Sequence, residues 1–193
     1  MQELQNFSNR LWLLLVGSMI AAALLIFTVA AAVEPYNRDR FKHWSDLDGD
    51  GLDTREELIV DQSLGREGKF WVCPYTGMVF TDPSEMDVDH VVSLNTAWYC
   101  GASEWTDARR EQFANDPENL LLVWGPVNRS KGDKTPEQWL PSNVSFWDNY
   151  VEITRRIYYK YDMECLEPDP AGKISEAGTK KGLNKLMIEE ILK

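Results

Sequence analysis

Histidine and cysteine are scarce in this chain. The 193 residues include only two histidines, His43 and His90, and three cysteines, Cys73, Cys100 and Cys165. No two cysteines stand in C-x-x-C spacing, which argues against a zinc site. Because so few side chains titrate near neutral pH, His90 is the leading candidate for any acid–base chemistry there, and His43 is interpreted as a packed or surface residue.

Basic residues are also in short supply. Lysine and arginine total 20 against 31 aspartates and glutamates, for a formal net charge of −11. This balance excludes binding to nucleic acid through a global positive field, because the affinity for a phosphate backbone comes largely from cationic side chains. Any such binding has to rest on local basic clusters and on a bridging metal ion.

The three cysteines leave several pairings open. In an oxidising compartment, one disulfide and one spare thiol are expected, and three pairings can supply them. A Cys73–Cys100 bridge would close a loop around the strand that carries His90. Three buried thiols in a reduced protein are the alternative.

A long apolar run occupies residues 11–33, without a single charge. As a helix it would extend about 34 Å, enough to cross a bilayer core of roughly 30 Å. A cleaved signal peptide is the competing interpretation, with Arg10 before the run and Ala30-Ala31-Ala32 as a cleavage site. The basic residues on both sides do not fix an orientation. We expect a cell-envelope or secreted protein, either anchored by a single pass with the domain outside the cytoplasm, or cleaved and exported.

An aspartate-rich loop over residues 46–57 matches the calcium-binding pattern D-x-D-x-D-G-x5-E in full. A solvated acidic turn is the alternative. Calcium suits an exported protein, because the ion is abundant enough outside cells to fill weak sites. The expected ligands are side-chain oxygens, one backbone carbonyl and one water-mediated hydroxyl, from Asp46, Asp48, Asp50, Leu52, Thr54 and Glu57.

Two predicted strands and a helix carry the remaining polar motifs. Residues 88–94 and 120–124 are apolar or β-branched runs, and a helix can begin at Pro126. His90 is the candidate general base, while Asp89 and Asn128 offer the oxygen ligands that Mg²⁺ (or Mn²⁺) prefers. Asn119, at the entry to the second strand, completes the catalytic set by tying the connecting loop to the His90 strand. Phosphate is expected to bind Arg129 and Lys131.

The strand geometry adds a structural expectation. Neighbouring residues of a regular strand face opposite sides, so Asp89 and His90 can both reach one metal ion only where the strand is distorted. A bend or bulge is therefore predicted at this pair.

The strings DVDHVVSL (residues 87–94) and ENLLLVWGPVNRSKGDK (residues 118–134) resemble the HNH, or ββα-metal, endonucleases. They are most similar to the branch shared by the C-terminal domain of GmrSD-type restriction enzymes and by small secreted bacterial HNH proteins. The resemblance covers roughly residues 36–165. Two positions depart from the family pattern, with Ser93 where proline is usual and Asn128 where the name-giving histidine stands.

The resemblance implies an α+β fold with a ββα-metal (His-Me finger) core embedded in helices. It also implies Asp89 and Asn128 as metal ligands, His90 as general base and cleavage that leaves 5′-phosphate ends. Because Arg55 lies inside the resemblance, it is expected to reach the scissile phosphate. The chain then divides into an anchor or signal peptide (1–33), a helix–calcium-type loop–helix (34–65), a nuclease core (66–165) and a linker with a short C-terminal helix (166–193).

The leading hypothesis is a metal-dependent endonuclease acting on nucleic acid, DNA in preference to RNA, without an organic cofactor. A non-catalytic calcium-binding module that is tethered to the envelope and retains a decayed nuclease fold is the alternative. A toxin-type effector with an immunity protein as partner would share the same chemistry.

Overall fold

The computed structural model of this protein describes residues 34–65 and 70–165. The apolar run at residues 11–33 and the predicted linker and helix at 166–193 lie outside these residues. Within the described part of the chain, no helix has the length and apolar character that crossing a membrane requires. The fold is a mixture of short helices and two small antiparallel sheets, in agreement with the predicted α+β class.

The first helix, α1, spans Thr54–Asp61 directly after the aspartate-rich loop. Asp53 begins it with a capping box, because its carboxylate accepts the amide N–H of Glu56 and the Glu56 carboxylate accepts the amide N–H of Asp53. Beyond its end, Gln62 bonds through its side-chain amide to the backbone of the second sheet, at Leu120 and Leu122. The loop and its helix are thereby joined to the sheet.

The first sheet is a hairpin, with β1 (Trp71–Val72) paired to β2 (Val79–Phe80). In its turn, the Cys73 carbonyl accepts the amide N–H groups of Thr76 and Gly77.

The second sheet pairs β3 (Met86–His90) with β4 (Leu120–Trp124), and helix α4 (Gly125–Lys131) follows β4 without a linker. The prediction for β4 is confirmed residue for residue. The predicted strand over 88–94 was too long, because Ser93 begins a helix. Its hydroxyl accepts the Thr96 N–H at 3.0 Å and caps helix α2 (Leu94–Tyr99).

Helix α3 (Asp107–Ala114) begins after Thr106, whose hydroxyl accepts the Arg109 N–H and caps the helix. The core lies between the hairpin, the second sheet and the last helix, where Trp71, Tyr75, Met86, Leu122 and Tyr150 are buried. The last helix of the described residues, α5 (Trp147–Lys160), contributes Tyr150 to this core.

The disulfide joins Cys100 to Cys165, 65 residues apart, so the Cys73–Cys100 pairing was wrong. Cys73 is a buried free thiol in the hairpin turn, where its sulfur accepts the Trp124 N–H at 3.3 Å. Packing against β4 holds Cys73 away from the end of α2. The observed bridge instead ties α2 to the chain after α5 and can stabilise the fold by roughly 4 kcal/mol.

Candidate active site

The centre of the candidate site is His90, the last residue of β3 and almost fully buried. Its Nε2 lies 2.8 Å from the Ala114 carbonyl. A carbonyl only accepts, so Nε2 carries the hydrogen and Nδ1 keeps its lone pair. The pKa of His90 is lowered to about 3, and burial is the largest of the causes. The ring is therefore neutral over the physiological range.

One face of this imidazole lies against the indole ring of Trp44. The two rings are stacked, with centroids 6.0 Å apart and an interplanar angle of 27°. Trp44 has a φ of +60°, a left-handed conformation that is uncommon for a bulky residue. Strained backbone of this kind is frequent at functional sites. Trp44 and Ala114 together hold the His90 ring in one orientation.

Asp89 lies in a buried network with a tyrosine and a lysine. Its Oδ2 accepts the Tyr75 hydroxyl at 2.6 Å, and its Oδ1 lies 2.9 Å from Nζ of Lys131. The same ammonium donates to the His90 carbonyl at 2.8 Å. Burial raises the pKa of Asp89, against the opposing effect of Lys131 and of the Tyr75 hydrogen bond. For Tyr75, burial and the nearby carboxylate raise the pKa well above its usual value.

Lys131 was predicted to bind phosphate, and its position contradicts that prediction. Its side chain is fully buried and does not border the cavity described below. A buried ammonium requires a carboxylate partner, and Asp89 is that partner. Lys131 therefore balances the charge of Asp89 inside the protein.

Asn128 and Arg129, on α4, both lie close to Asp87 of β3. Oδ2 of Asp87 is 3.5 Å from Nδ2 of Asn128 and 3.5 Å from Nη1 of Arg129. With its nitrogen directed to Asp87, the Asn128 amide keeps its oxygen as the remaining donor atom for a metal ion. The strand approaches the helix closely here, since a Cβ on Gly125 would lie 3.2 Å from Asp87 Oδ2.

Asn119 does not border the site, so it is not a catalytic residue in the sense of touching substrate. Its buried side chain accepts the Val92 N–H at 2.8 Å and donates to the Val92 carbonyl at 3.1 Å. Its own carbonyl accepts the Val91 N–H. The amide thus ties the chain after His90 to the entry of β4, which is the contact that the sequence led us to expect.

A cavity of about 400 Å³ brings Asp89, His90, Asn128 and Arg129 together. Arg55 is not part of it, because its guanidinium donates to the Met86 carbonyl at 3.1 Å instead of reaching the cavity. The rest of the lining comes from β3, α2, α4 and the chain before α1: Tyr36, Arg38, Val88, Ser93, Leu94, Asn95, Gly132 and Asp133.

The predicted distortion of β3 is absent. Residues pair one to one from Met86 with Trp124 to His90 with Leu120, without a bulge. Asp89 and His90 have different neighbours, as opposite faces of a strand require. Both nevertheless border the cavity, because β3 ends at His90 and the cavity lies at that end.

The donor chemistry of the cavity suits a hard divalent cation. An ionised carboxylate has about four acceptor positions, of which Tyr75 and Lys131 use two at Asp89. The Asn128 amide adds a neutral oxygen. Two protein ligands of this type fit an ion such as Mg²⁺, which keeps several of its waters.

The aspartate-rich loop is a separate, exposed cluster. The carboxylates of Asp46, Asp48 and Asp50 each offer an oxygen within 4.8 Å of the others. Backbone N–H groups of the loop bind these carboxylates: Asp46 accepts from Gly49 at 2.7 Å and Asp50 from Leu52 at 2.8 Å. The left-handed glycines of the motif permit this tight turn.

Glu57 faces this cluster from α1. It borders a second cavity of about 380 Å³ together with Asp48 and Asp50. Reduced hydration, and then the charges of Asp48 and Asp50, raise its pKa. Thr54 differs from expectation, because its hydroxyl faces inward, donating to the Ser45 carbonyl at 2.8 Å and lying 3.0 Å from Asn115 Oδ1.

Several site residues had escaped the sequence argument. Asp87 carried a usable signal, since residues two apart on a strand share a face and Asp87 precedes Asp89 by two. Trp44 and Tyr75 lie inside the resemblance at residues 36–165, but they are distant in sequence from the residues they contact, so no local pattern gave them a role. Arg38 is one of the basic residues that follow the apolar run, and it too had no predicted role at the site.

A neutral histidine, a carboxylate, an amide oxygen and arginines around one cavity are the groups used in metal-assisted hydrolysis of phosphate esters. The chain belongs to the family described as GmrSD restriction endonucleases, C-terminal domain, whose model matches residues 51–168. The resemblance seen in the sequence is thereby confirmed.

An uncharacterized secreted protein of Arthroderma benhamiae (strain ATCC MYA-4681 / CBS 112371) is similar over most of its length. It is 36% identical over 154 residues, covering 75% of each chain. No solved structure matches this protein significantly.

Proposed function

We propose that this protein is a metal-dependent endonuclease, with β3, β4 and α4 forming a ββα-metal core. The observation that supports it best is the meeting of Asp89, His90 and Asn128 at one cavity. Membership of a restriction-endonuclease family supports a nuclease-related function. DNA is the proposed substrate, cleaved with little sequence selectivity, because residues 34–65 and 70–165 contain no apparent base-reading element.

Asp89 and Asn128 would hold the ion, which supplies charge stabilisation at the scissile phosphate and at the leaving oxygen. His90 accepts a proton from the attacking water at Nδ1. Because the imidazole is neutral before the reaction, the lone pair on Nδ1 is available to accept that proton. Negative charge that builds on the phosphorus centre raises the pKa of the imidazole as the proton arrives.

Three side chains act indirectly by fixing these groups. Lys131 and Tyr75 hold the Asp89 carboxylate from the protein interior. Asn119 fixes the backbone just after His90.

We propose further that the aspartate-rich loop binds Ca²⁺ through Asp46, Asp48, Asp50, the Leu52 carbonyl and Glu57. The support is the complete motif and the close approach of three carboxylates. A bound ion would relieve their mutual repulsion and fix the start of α1. Thr54 is omitted from this set, because its hydroxyl is engaged with Ser45 and Asn115.

We infer that the protein is exported, with residues 11–33 as the export or anchoring segment. A disulfide is typical of oxidising compartments. The similar protein from Arthroderma benhamiae bears the word secreted in its description.

The test is plasmid degradation by the purified full chain with Mg²⁺, Mn²⁺ or a chelator. His90→Ala should lower the rate by about 10²–10⁴-fold, the usual contribution of a general base. His43→Ala is the matched control, because the other histidine bonds to the Phe41 carbonyl and does not border the cavity.

Equal activity of the two variants would reject the assignment of His90. A protein that calcium stabilises, but that cleaves no nucleic acid with any metal, would instead be the non-catalytic module.

A further inference from the structure

The charge balance of the cavity is unfavourable for a phosphate. Asp89 and Asp133 both border it, within a chain of net charge −11. A phosphodiester that enters this space therefore requires cationic side chains in addition to a metal ion.

Two of the three cations predicted for this purpose are elsewhere, since Arg55 bonds to the Met86 carbonyl and Lys131 is buried against Asp89. Among the described residues that line the cavity, the cationic ones are Arg129 and Arg38. Arg129 also lies beside Asp87. Arg38 comes from a different part of the chain, before the aspartate-rich loop.

Arg38 occupies a short 3-10 helix, Arg38–Arg40, that is anchored on both sides. On one side, the ring of Tyr36 lies 6.3 Å from that of Trp98 on α2, in an edge-on arrangement. On the other side, the buried ring of Phe41 lies 6.1 Å from the same indole. Arg38 is exposed between these anchors, so its backbone is fixed, and its guanidinium borders the cavity beside the Tyr36 hydroxyl, with which it shares a hydrogen bond.

The charge of Arg38 acts on the candidate catalytic group. After the dominant effect of burial, it is among the charges that lower the pKa of His90. It also counteracts the rise that burial causes in the pKa of Tyr36. The geometry agrees with these effects, because Arg38, Tyr36 and His90 all border the same cavity.

We propose that Arg38 binds a backbone phosphate of the nucleic acid at this cavity. The segment over residues 36–44, which precedes the family match at 51–168, thus completes the site with Arg38 at its edge and Trp44 on the His90 ring. This inference rests on the proposed function, because it names the contact that receives the substrate.

The first experiment compares Arg38→Gln with Arg40→Gln in the full chain. Arg40 lies on the same 3-10 helix but pairs with Asp107 at 3.6 Å and does not border the cavity. Arg38→Gln should lower kcat/KM for DNA cleavage by roughly 10- to 100-fold, the effect of losing one hydrogen bond to a charged group. Arg38→Lys, which keeps the charge, should restore part of the loss. Thermal unfolding of each variant checks that the fold is retained.

The second experiment measures binding without cleavage, with a fluorescent oligonucleotide and the His90→Ala protein. The slope of log Kd against log salt concentration should fall by about one when Arg38→Gln is added, and not with Arg40→Gln. A merely structural role of Arg38 would not change this slope.

The outcomes separate the two hypotheses. If the wild-type protein cleaves DNA but Arg38→Gln matches Arg40→Gln in rate and in salt slope, the Arg38 inference is wrong and the nuclease assignment stands. If nothing is cleaved, the nuclease assignment fails, and the binding slope alone decides whether Arg38 contacts phosphate. Absence of any oligonucleotide binding would overturn the inference as well.

Discussion

The buried carboxylate of Asp89 and the exposed carboxylates of the aspartate-rich loop differ in how their negative charge is balanced. Asp89 is buried, and its charge is balanced inside the fold by Lys131 and the Tyr75 hydroxyl. Asp46, Asp48 and Asp50 are exposed, and backbone N–H groups of their own loop donate to their carboxylates. The buried carboxylate depends on its partners for stability, whereas the exposed cluster has excess charge that a cation would relieve.

The largest effect is expected from Lys131→Met. It leaves the Asp89 carboxylate buried without its ammonium, which should cost about 3–5 kcal/mol in the free energy of unfolding. Urea denaturation measures this loss. Adding Asp89→Asn should recover part of the lost stability. Lys134→Met is the control, because this lysine is exposed and lies three residues further along the chain, and it should change stability by less than about 1 kcal/mol. A Lys131→Met protein as stable as Lys134→Met would contradict the buried pair.

A smaller effect follows from the pH dependence of the buried histidine. The pKa of His90 is about 3 in the folded protein and near 6.5 when unfolded, so the unfolded chain binds the extra proton between these values. Stability is complete above pH 6.5 and falls as the pH drops towards 3. Between pH 7 and pH 5 we expect a loss of about 2 kcal/mol in metal-free protein.

His90→Gln supplies the control for that measurement, because it keeps every other titrating group. The difference between the two proteins in chelator-containing buffer isolates the histidine. Parallel stability profiles for wild type and His90→Gln would show that the histidine is not protected from protonation by the fold.

Calcium should stabilise the exposed cluster by a comparable or smaller amount. At a concentration ten times Kd, the gain is about 1.4 kcal/mol, seen as a rise in the thermal midpoint. Asp48→Asn should abolish most of this rise. Asp39→Asn, an exposed aspartate outside the loop, should leave it intact. A rise that survives Asp48→Asn would place the ion elsewhere.

The smallest effect on stability is expected at Glu57, and its sign is opposite to that of Lys131→Met. The pKa of Glu57 is raised, so the fold disfavours its charge at neutral pH. Glu57→Gln in calcium-free buffer should therefore leave stability unchanged or increase it, by at most about 0.5 kcal/mol. A loss of several kcal/mol by urea denaturation would mean that Glu57 has a structural partner comparable to Lys131.

Local patterns predicted the elements well. β4 was predicted with its observed ends because five apolar residues lie between the polar turn at Asn119 and the Gly125-Pro126 helix start. The strand at His90 was extended too far, since Val91 and Val92 continue its pattern although Ser93 caps a helix. A capping serine is recognised only when the residues after it are already seen as helical.

The candidate site shows the same contrast between residues that follow a local pattern and residues whose partners are distant in sequence. Asp89, His90 and Asn128 were found because each falls at a fixed offset within a strand or helix. Lys131 and Arg55 were assigned to phosphate on charge alone, and charge does not reveal whether a side chain faces solvent or a carboxylate buried 42 residues away.

The sequence by itself therefore determined the local chemistry, namely which strand carries the histidine, which helix carries an asparagine beside an arginine, and which loop contains the aspartate cluster. These features depend on neighbours a few residues apart, where propensity and periodicity act. Only the tertiary structure decided that Lys131 pairs with Asp89, that Cys100 pairs with Cys165, and that Trp44 and Arg38 meet His90. Each of those outcomes brings together groups that are far apart in sequence. A buried charge needs a partner because desolvation is costly, and no short sequence pattern identifies that partner.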